Sequence, residues 1–170
     1  MPEVLNGPVL LADYDPAWPG AYEILAAKVR MALDTGVVAL HHAGSTSVPG
    51  LAAKPIIDLV LEVPDSTDEP SYVPALESAG FTFAHREAEP EHRLLKFTQP
   101  KANLHVYSAG CPETQRMIAF RDHLRRHDAD RALYEATKRT LAARDWRIVQ
   151  DYADAKTEVV TEIMGRALAP

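Results

Sequence analysis

One stretch of the chain brings small polar residues, a carboxylate and two apolar runs together at short spacing: HHAGSTSVPGLAAKPIIDLVLEV, residues 41–63. Gly44, Ser45 and Thr46 make a small polar turn between the runs. Such a turn lets backbone approach a ligand closely, and its N–H groups and hydroxyls can hold phosphate oxygens. Asp58 interrupts the second run fourteen residues after Gly44. A carboxylate facing a phosphate-holding turn suits Mg²⁺, which takes a few carboxylates and completes its shell with substrate phosphate oxygens. The same residues also suit an ordinary turn with Asp58 hydrogen-bonded to it. Short Gly-Ser pairs are common, so the local pattern leaves both readings open.

Several elements must position these residues. Tyr22, Leu25, Ala26, Val29 and Leu33 recur at helical spacing, so the segment from Pro16 to Leu33 reads as a helix, with Pro16 in its first turn and Gly36 at its stop. VVALHH and PIIDLVLEV read as strands around the polar turn, and a helical turn is expected at Val48 to Ala53. A short helix follows from Tyr72 to Ser78, ended by Gly80. FTFAHR, HRLLKFTQ and ANLHVYSA are three further strands; the linkers EAEPE and PKA look like hairpin turns and favour antiparallel pairing. After Cys111 the periodicity is helical throughout, giving three helices: 112–127, 129–144 and about 149–167. Strands followed by helices predict an α+β fold, a mixed sheet with flanking helices and a C-terminal helical cap.

The 170 residues suit one domain, with a sheet core over about 1–111 and C-terminal helices over 112–170. Hydrophobic content of 46% and charged content of 25% are ordinary for a soluble protein. No apolar run approaches the ~20 residues of a membrane span, and the N-terminus lacks a secretory pattern, so a cytoplasmic location without membrane partners is expected. The single cysteine, Cys111, forms no intramolecular disulfide and excludes a thiolate-only zinc site. A net charge of −6 argues against an extended nucleic-acid partner, but not against one nucleotide bound by a local group of lysines.

HHAGSTSVPGLAAKPIIDLVLEV closely resembles the signature of the GrpB-like family of the polymerase-β-like nucleotidyltransferase superfamily. DYDPAWP, NLHVYSAG, FRDHLRRH, YEATK and YADAK extend the resemblance over nearly the whole chain, from about Asp13 to Ala167. It implies a nucleotidyltransferase-like mixed sheet. In that fold a Gly-Ser turn grips a nucleoside triphosphate and strand carboxylates hold a divalent metal, while the nucleotidyl group passes to an acceptor, here small and unidentified. An inactive nucleotide- or phosphoryl-binding module of the same fold is the alternative.

One position departs from the superfamily pattern. Two carboxylates one residue apart usually share a strand face and two metals. Asp58 fills the first place, but the second is Val60. Glu62 shares the face yet lies about 13 Å along the strand at ~3.3 Å per residue, too far to share the metal site. The resemblance also implies a ligand from a neighbouring strand. In NLHVY, Asn103, His105 and Tyr107 share one face, which makes His105 that candidate; His42 is a lesser one. Asp58 with His105 would suit Mg²⁺ or Mn²⁺, and also a transition metal.

The phosphate candidates are Gly44, Ser45, Thr46 and Lys54, which follows the turn, together with Lys156. Tyr134 and Lys138, like Tyr152 and Lys156, are four residues apart and share a helix face. A tyrosine beside a snorkelling lysine is a common packing arrangement, and only Lys156 is assigned to the ligand. Asp58 is the single catalytic candidate. Acceptor, nucleotide, metal and oligomeric state stay open.

Overall fold

The computed structural model describes residues 4–7, 9–88 and 91–170. Five strands form the central sheet: β2 (Ala39–Ala43), β3 (Ile57–Val63), β4 (Thr82–Glu87), β5 (His92–Phe97) and β6 (Ala102–Ser108). Their order is β2-β3-β6-β5-β4. Only β3 and β6 run parallel, placing Asp58 beside Asn103 and Val60 beside His105. The expected antiparallel pairing of β4, β5 and β6 is found. Part of the EAEPE hairpin, Glu89 and Pro90, lies outside the described residues.

Alternation along β3 sets the two faces of the sheet. Ile57, Leu59, Leu61 and Val63 join Leu104 and Val106 of β6 in the main core. Helix α1 (Trp18–Leu33) covers that core with Tyr22, Leu25, Ala26 and Val29, and α2 (Val73–Ser78) adds Leu76. Each fully buried leucine there stabilises the fold by about 2 kcal/mol relative to exposure. The α1 stripe is the one its sequence period predicts. The helix begins at Trp18 rather than Pro16, because Asp15 accepts the N–H groups of Ala17 and Trp18. It ends at Leu33 in a 3₁₀ turn over Asp34–Gly36.

On the opposite face, α3 (Pro112–Arg126), α4 (Asp128–Ala142), α5 (Val149–Ala155) and α6 (Thr157–Ala167) form the cap. Two readings of this region are corrected. The expected helix over 149–167 is two helices, with Lys156 between them. Ahead of it β7 (Trp146–Ile148), too short to outweigh the helical period around it, pairs antiparallel with β1 (Val4–Gly7). The cap has its own core, where Val48 and Leu51 meet Leu124, Tyr134, Val159 and Ile163. The chain after β2 is thereby clamped to the helices. The helical turn expected at Val48 to Ala53 lies upstream instead, as a 3₁₀ turn over Ser45–Ser47. Pro49 and a left-handed Gly50 (φ 82°) prevent its continuation, and Ala53 bridges to Ala12.

An ion cluster pins the far edge of the sheet. Glu69 accepts from Arg86 Nε and Nη2, both at 2.8 Å, and from Arg93 Nε at 2.6 Å. The guanidinium of Arg86, then that of Arg93, pulls the Glu69 pKa from 4.5 down to about 2. A native pKa below the unfolded one gives stability that is complete above pH 4.5 and fades as pH falls toward 2. Glu69→Gln is expected to cost about 1.5–3 kcal/mol at pH 7, the range for hydrogen bonds to charged groups. Urea melts at pH 7 and pH 3 should show the gap to wild type narrowing at the lower pH.

Candidate functional site

At the end of β2 the chain turns through Gly44, whose backbone (φ 68°, ψ −177°) is a conformation essentially reserved for glycine. A side chain at this position is also sterically barred: a Cβ on Gly44 would lie 2.5 Å from Asp58 Oδ2. The turn therefore rests directly on the carboxylate. Ser47 and Val48 N–H groups close the turn onto the Gly44 and Ser45 carbonyls, and Arg125 Nε donates to the Ser47 carbonyl at 2.9 Å. Helix α4 ties down the following segment, with Ala52 N–H donating to Glu135 Oε1 at 2.7 Å.

Asp58 lies in a pocket of about 280 Å³ between this turn and the cap. Gly44, Ser45, Thr46, Lys54, Asp58 and Lys156 all line it, together with Asn103, Tyr134, Lys138 and Tyr152. Every residue assigned to the phosphates from sequence thus borders one cavity. The Thr46 hydroxyl, however, is engaged with His42 Nε2 at 2.9 Å.

Sequence reasoning passed over Lys138, which is only 3% exposed. Its Nζ donates to Ser45 Oγ and to the Ala52 carbonyl, each at 2.8 Å. Burial, followed by the nearby charges of Lys156 and Lys54, pushes its pKa down to about 7. Burial and Lys54 likewise push Lys156 down to about 8, with Asp58 opposing them. Three lysines therefore compete for positive charge around one carboxylate, in a protein whose net charge is −6. The four-residue spacing marks both tyrosine–lysine pairs but does not say which way their helix face points. Lys138 Nζ lies 5.1 Å from the Tyr134 ring centre, and Lys156 Nζ lies 4.6 Å from that of Tyr152. Both pairs pack as the commonplace reading expects, yet both cations face the cavity.

On the sheet side, His105 Nε2 and Asp58 Oδ1 are 3.1 Å apart, and His105 Nδ1 lies 3.1 Å from His92 Nε2. His92 stacks on Tyr107, and its Nδ1 is 3.5 Å from Glu87 Oε2. With its proton on Nε2, His105 donates to Asp58 and accepts from His92. With the proton on Nδ1, it donates to His92 and frees the Nε2 lone pair beside Asp58, as a metal-binding imidazole requires.

Among the described residues, no three His, Cys, Asp or Glu side chains are grouped to hold a metal. The donor set, Asp58 with His105 beside it, has the chemistry to hold a single divalent ion. It does not fit a metal pair, because Val60 occupies the second carboxylate position and is fully buried against Ala43 and Tyr107. The lesser candidate His42 and the excluded Glu62 both lie outside this set. His42 is buried, stacked on Tyr22 and held neutral with a pKa of about 4, chiefly by desolvation. Glu62 faces His41 at 3.5 Å and accepts from Gly110 N–H at the other end of β3.

The sequence matches the family described as GrpB protein over residues 8–166. A UPF0157 protein of Halalkalibacterium halodurans is 49% identical over 165 residues, covering 96% of this chain and 85% of that protein. Another UPF0157 protein, from Streptomyces coelicolor, is 43% identical over 169 residues, covering 97% of this chain and 89% of the relative. The crystal structure of the conserved protein GrpB from Enterococcus faecalis matches with a TM-score of 0.78 and 28% identity, over 94% of this chain and 97% of that one. The chain belongs to the GrpB family.

Proposed function

We propose that the chain binds a nucleoside triphosphate in the pocket beneath the Gly44–Ser45 turn and transfers its nucleotidyl group to a small acceptor. The observation that carries this reading is the convergence of Lys54, Lys138 and Lys156 on a glycine turn that rests on Asp58. Three lysines converging on one pocket are complementary to a polyanion, and one carboxylate in the same pocket suits the divalent ion that accompanies a triphosphate. The motif's resemblance to nucleotidyltransferases supports the same class.

In this reading Lys138 and Ser45 orient phosphate oxygens, while Lys54 and Lys156 offset the charge that develops as pyrophosphate leaves. Asp58 would hold the metal, with His105 beside it. A bound metal supplies charge neutralisation and alignment of the phosphates. The His92 contact keeps the His105 ring in the plane that reaches Asp58.

Val60 favours a second reading, an inactive module that binds the triphosphate without transfer. One experiment separates the two. Purified protein is incubated with each α-³²P-labelled nucleoside triphosphate, Mg²⁺ or Mn²⁺ and pooled small metabolites. Labelled product and released pyrophosphate are expected from wild type, and neither from Asp58→Asn. Saturable binding without product would support the module. An absence of metal-dependent thermal stabilisation by any triphosphate would sink both readings.

A further inference from the structure

A second cavity, of about 210 Å³, opens on the other side of the Gly44–Ser45 turn. Its character is opposite to that of the lysine pocket. Val48, Met117, Phe120, Leu124 and Val160 form its walls, and Tyr134 and Ser45 border both cavities. Phe120 and Tyr134 meet edge to face with ring centres 5.3 Å apart, so aromatic surface lines one side. Among the described residues that line it, the one cation is Arg121, which is already committed: Nε lies 2.9 Å from Asp122 Oδ1, and Nη1 donates to the His42 carbonyl at 3.0 Å. The charge around this cavity is thus balanced without a ligand.

We propose that this cavity binds a compact, neutral, apolar molecule carrying one hydroxyl, with that hydroxyl turned toward Ser45 and Tyr134. Volume sets the size. A cavity of roughly 150 Å³ holds benzene, so this one takes a ring with a short substituent. Lining sets the polarity: five apolar walls reward an apolar body, while an anion would lose its hydration against a guanidinium whose charge Asp122 already offsets. Met117, unbranched and polarisable, adapts its side chain to the ring. The shared Ser45 places the hydroxyl next to the phosphate pocket. As the acceptor's site, the cavity rests on the proposed triphosphate reading; as a binding site, it does not.

The test labels the methionine methyl groups with ¹³C and identifies the Met117 signal by its loss in Met117→Leu. Benzyl alcohol is expected to shift that signal saturably, and benzoate to bind about tenfold more weakly or worse, since its charge must be desolvated. Val160→Phe fills the cavity and should abolish the shift, while metal-dependent stabilisation by ATP persists. If Val160→Phe fails to fold, Val160→Ala serves in its place, and should admit 4-isopropylbenzyl alcohol, which wild type excludes. No shift at Met117, equal binding of benzoate, or a shift unaltered by filling or enlarging the cavity overturns the proposal. Benzyl alcohol binding without any triphosphate binding would leave the cavity standing and remove the transferase reading.

Discussion

Lys138→Met is expected to weaken triphosphate binding by about 30- to 5,000-fold, the 2–5 kcal/mol range for truncating one partner of a buried charged contact. The side chain is nearly isosteric and the position is 3% exposed, so the slot stays filled. The ammonium group facing Ser45 is lost. The pH dependence identifies the cause. In the free protein Lys138 titrates near 7 and Lys156 near 8, and bound phosphate would draw both back to the charged state. Binding therefore takes up protons, and wild-type affinity should fall as pH rises through 7 and 8. Calorimetry at pH 7.5 in buffers of different ionisation enthalpy reads this uptake directly; Lys138→Met should reduce it. Unchanged affinity together with unchanged proton uptake would remove Lys138 from the site.

The same depressed pKa values bear on stability with the opposite sign. Between about 7 and the ordinary lysine value of 10.5, the unfolded chain holds a proton at Lys138 that the native state lacks. Stability from this group is therefore smallest below pH 7 and grows with pH up to 10.5. Lys156 adds a parallel gain above about 8. A site that costs stability at neutral pH when empty is consistent with one built for a ligand.

Much of this arrangement was legible in the chain. The alternation in β3 put Asp58 and Val60 on a face apart from Leu59 and Leu61, and a two-residue period survives any shift of the element's ends. The α1 stripe was equally clear. Lys138 was harder to place, because tyrosine and lysine four residues apart report only a shared helix face. Which way that face points depends on how α4 docks on Val48 and Leu51, residues more than eighty positions earlier. The break at Lys156 was hidden for a related reason. Every residue of α5 and α6 is compatible with a helix, and tertiary docking sets the bend that turns Lys156 inward. The β1–β7 pair escaped notice because four- and three-residue strands carry almost no period of their own.

Gly44→Ala should be the most damaging single substitution in the turn, and its effect can be divided into two parts. Backbone strain is one: the conformation at φ 68°, ψ −177° costs a residue with a Cβ on the order of 1–3 kcal/mol. Collision is the other. The new methyl would sit 2.5 Å from Asp58 Oδ2 and 3.1 Å from Asp58 Cβ, so Asp58 must leave its contact with His105 or the turn must lift from the sheet. Either movement takes the metal candidate away from the phosphate turn, and metal-dependent triphosphate stabilisation should disappear. Comparison with Asp58→Ala separates the parts. That substitution removes the carboxylate oxygen the methyl would strike, so the stability loss of the double variant Gly44→Ala/Asp58→Ala should be smaller than the sum of the two singles. A coupling of about 0.5–3 kcal/mol is typical of contacting residues. What strain remains in the double variant is the backbone share together with the 3.1 Å approach to the Cβ that alanine keeps. Additive losses in urea melts would mean that turn and carboxylate do not press on one another, and the shared pocket would lose its central contact.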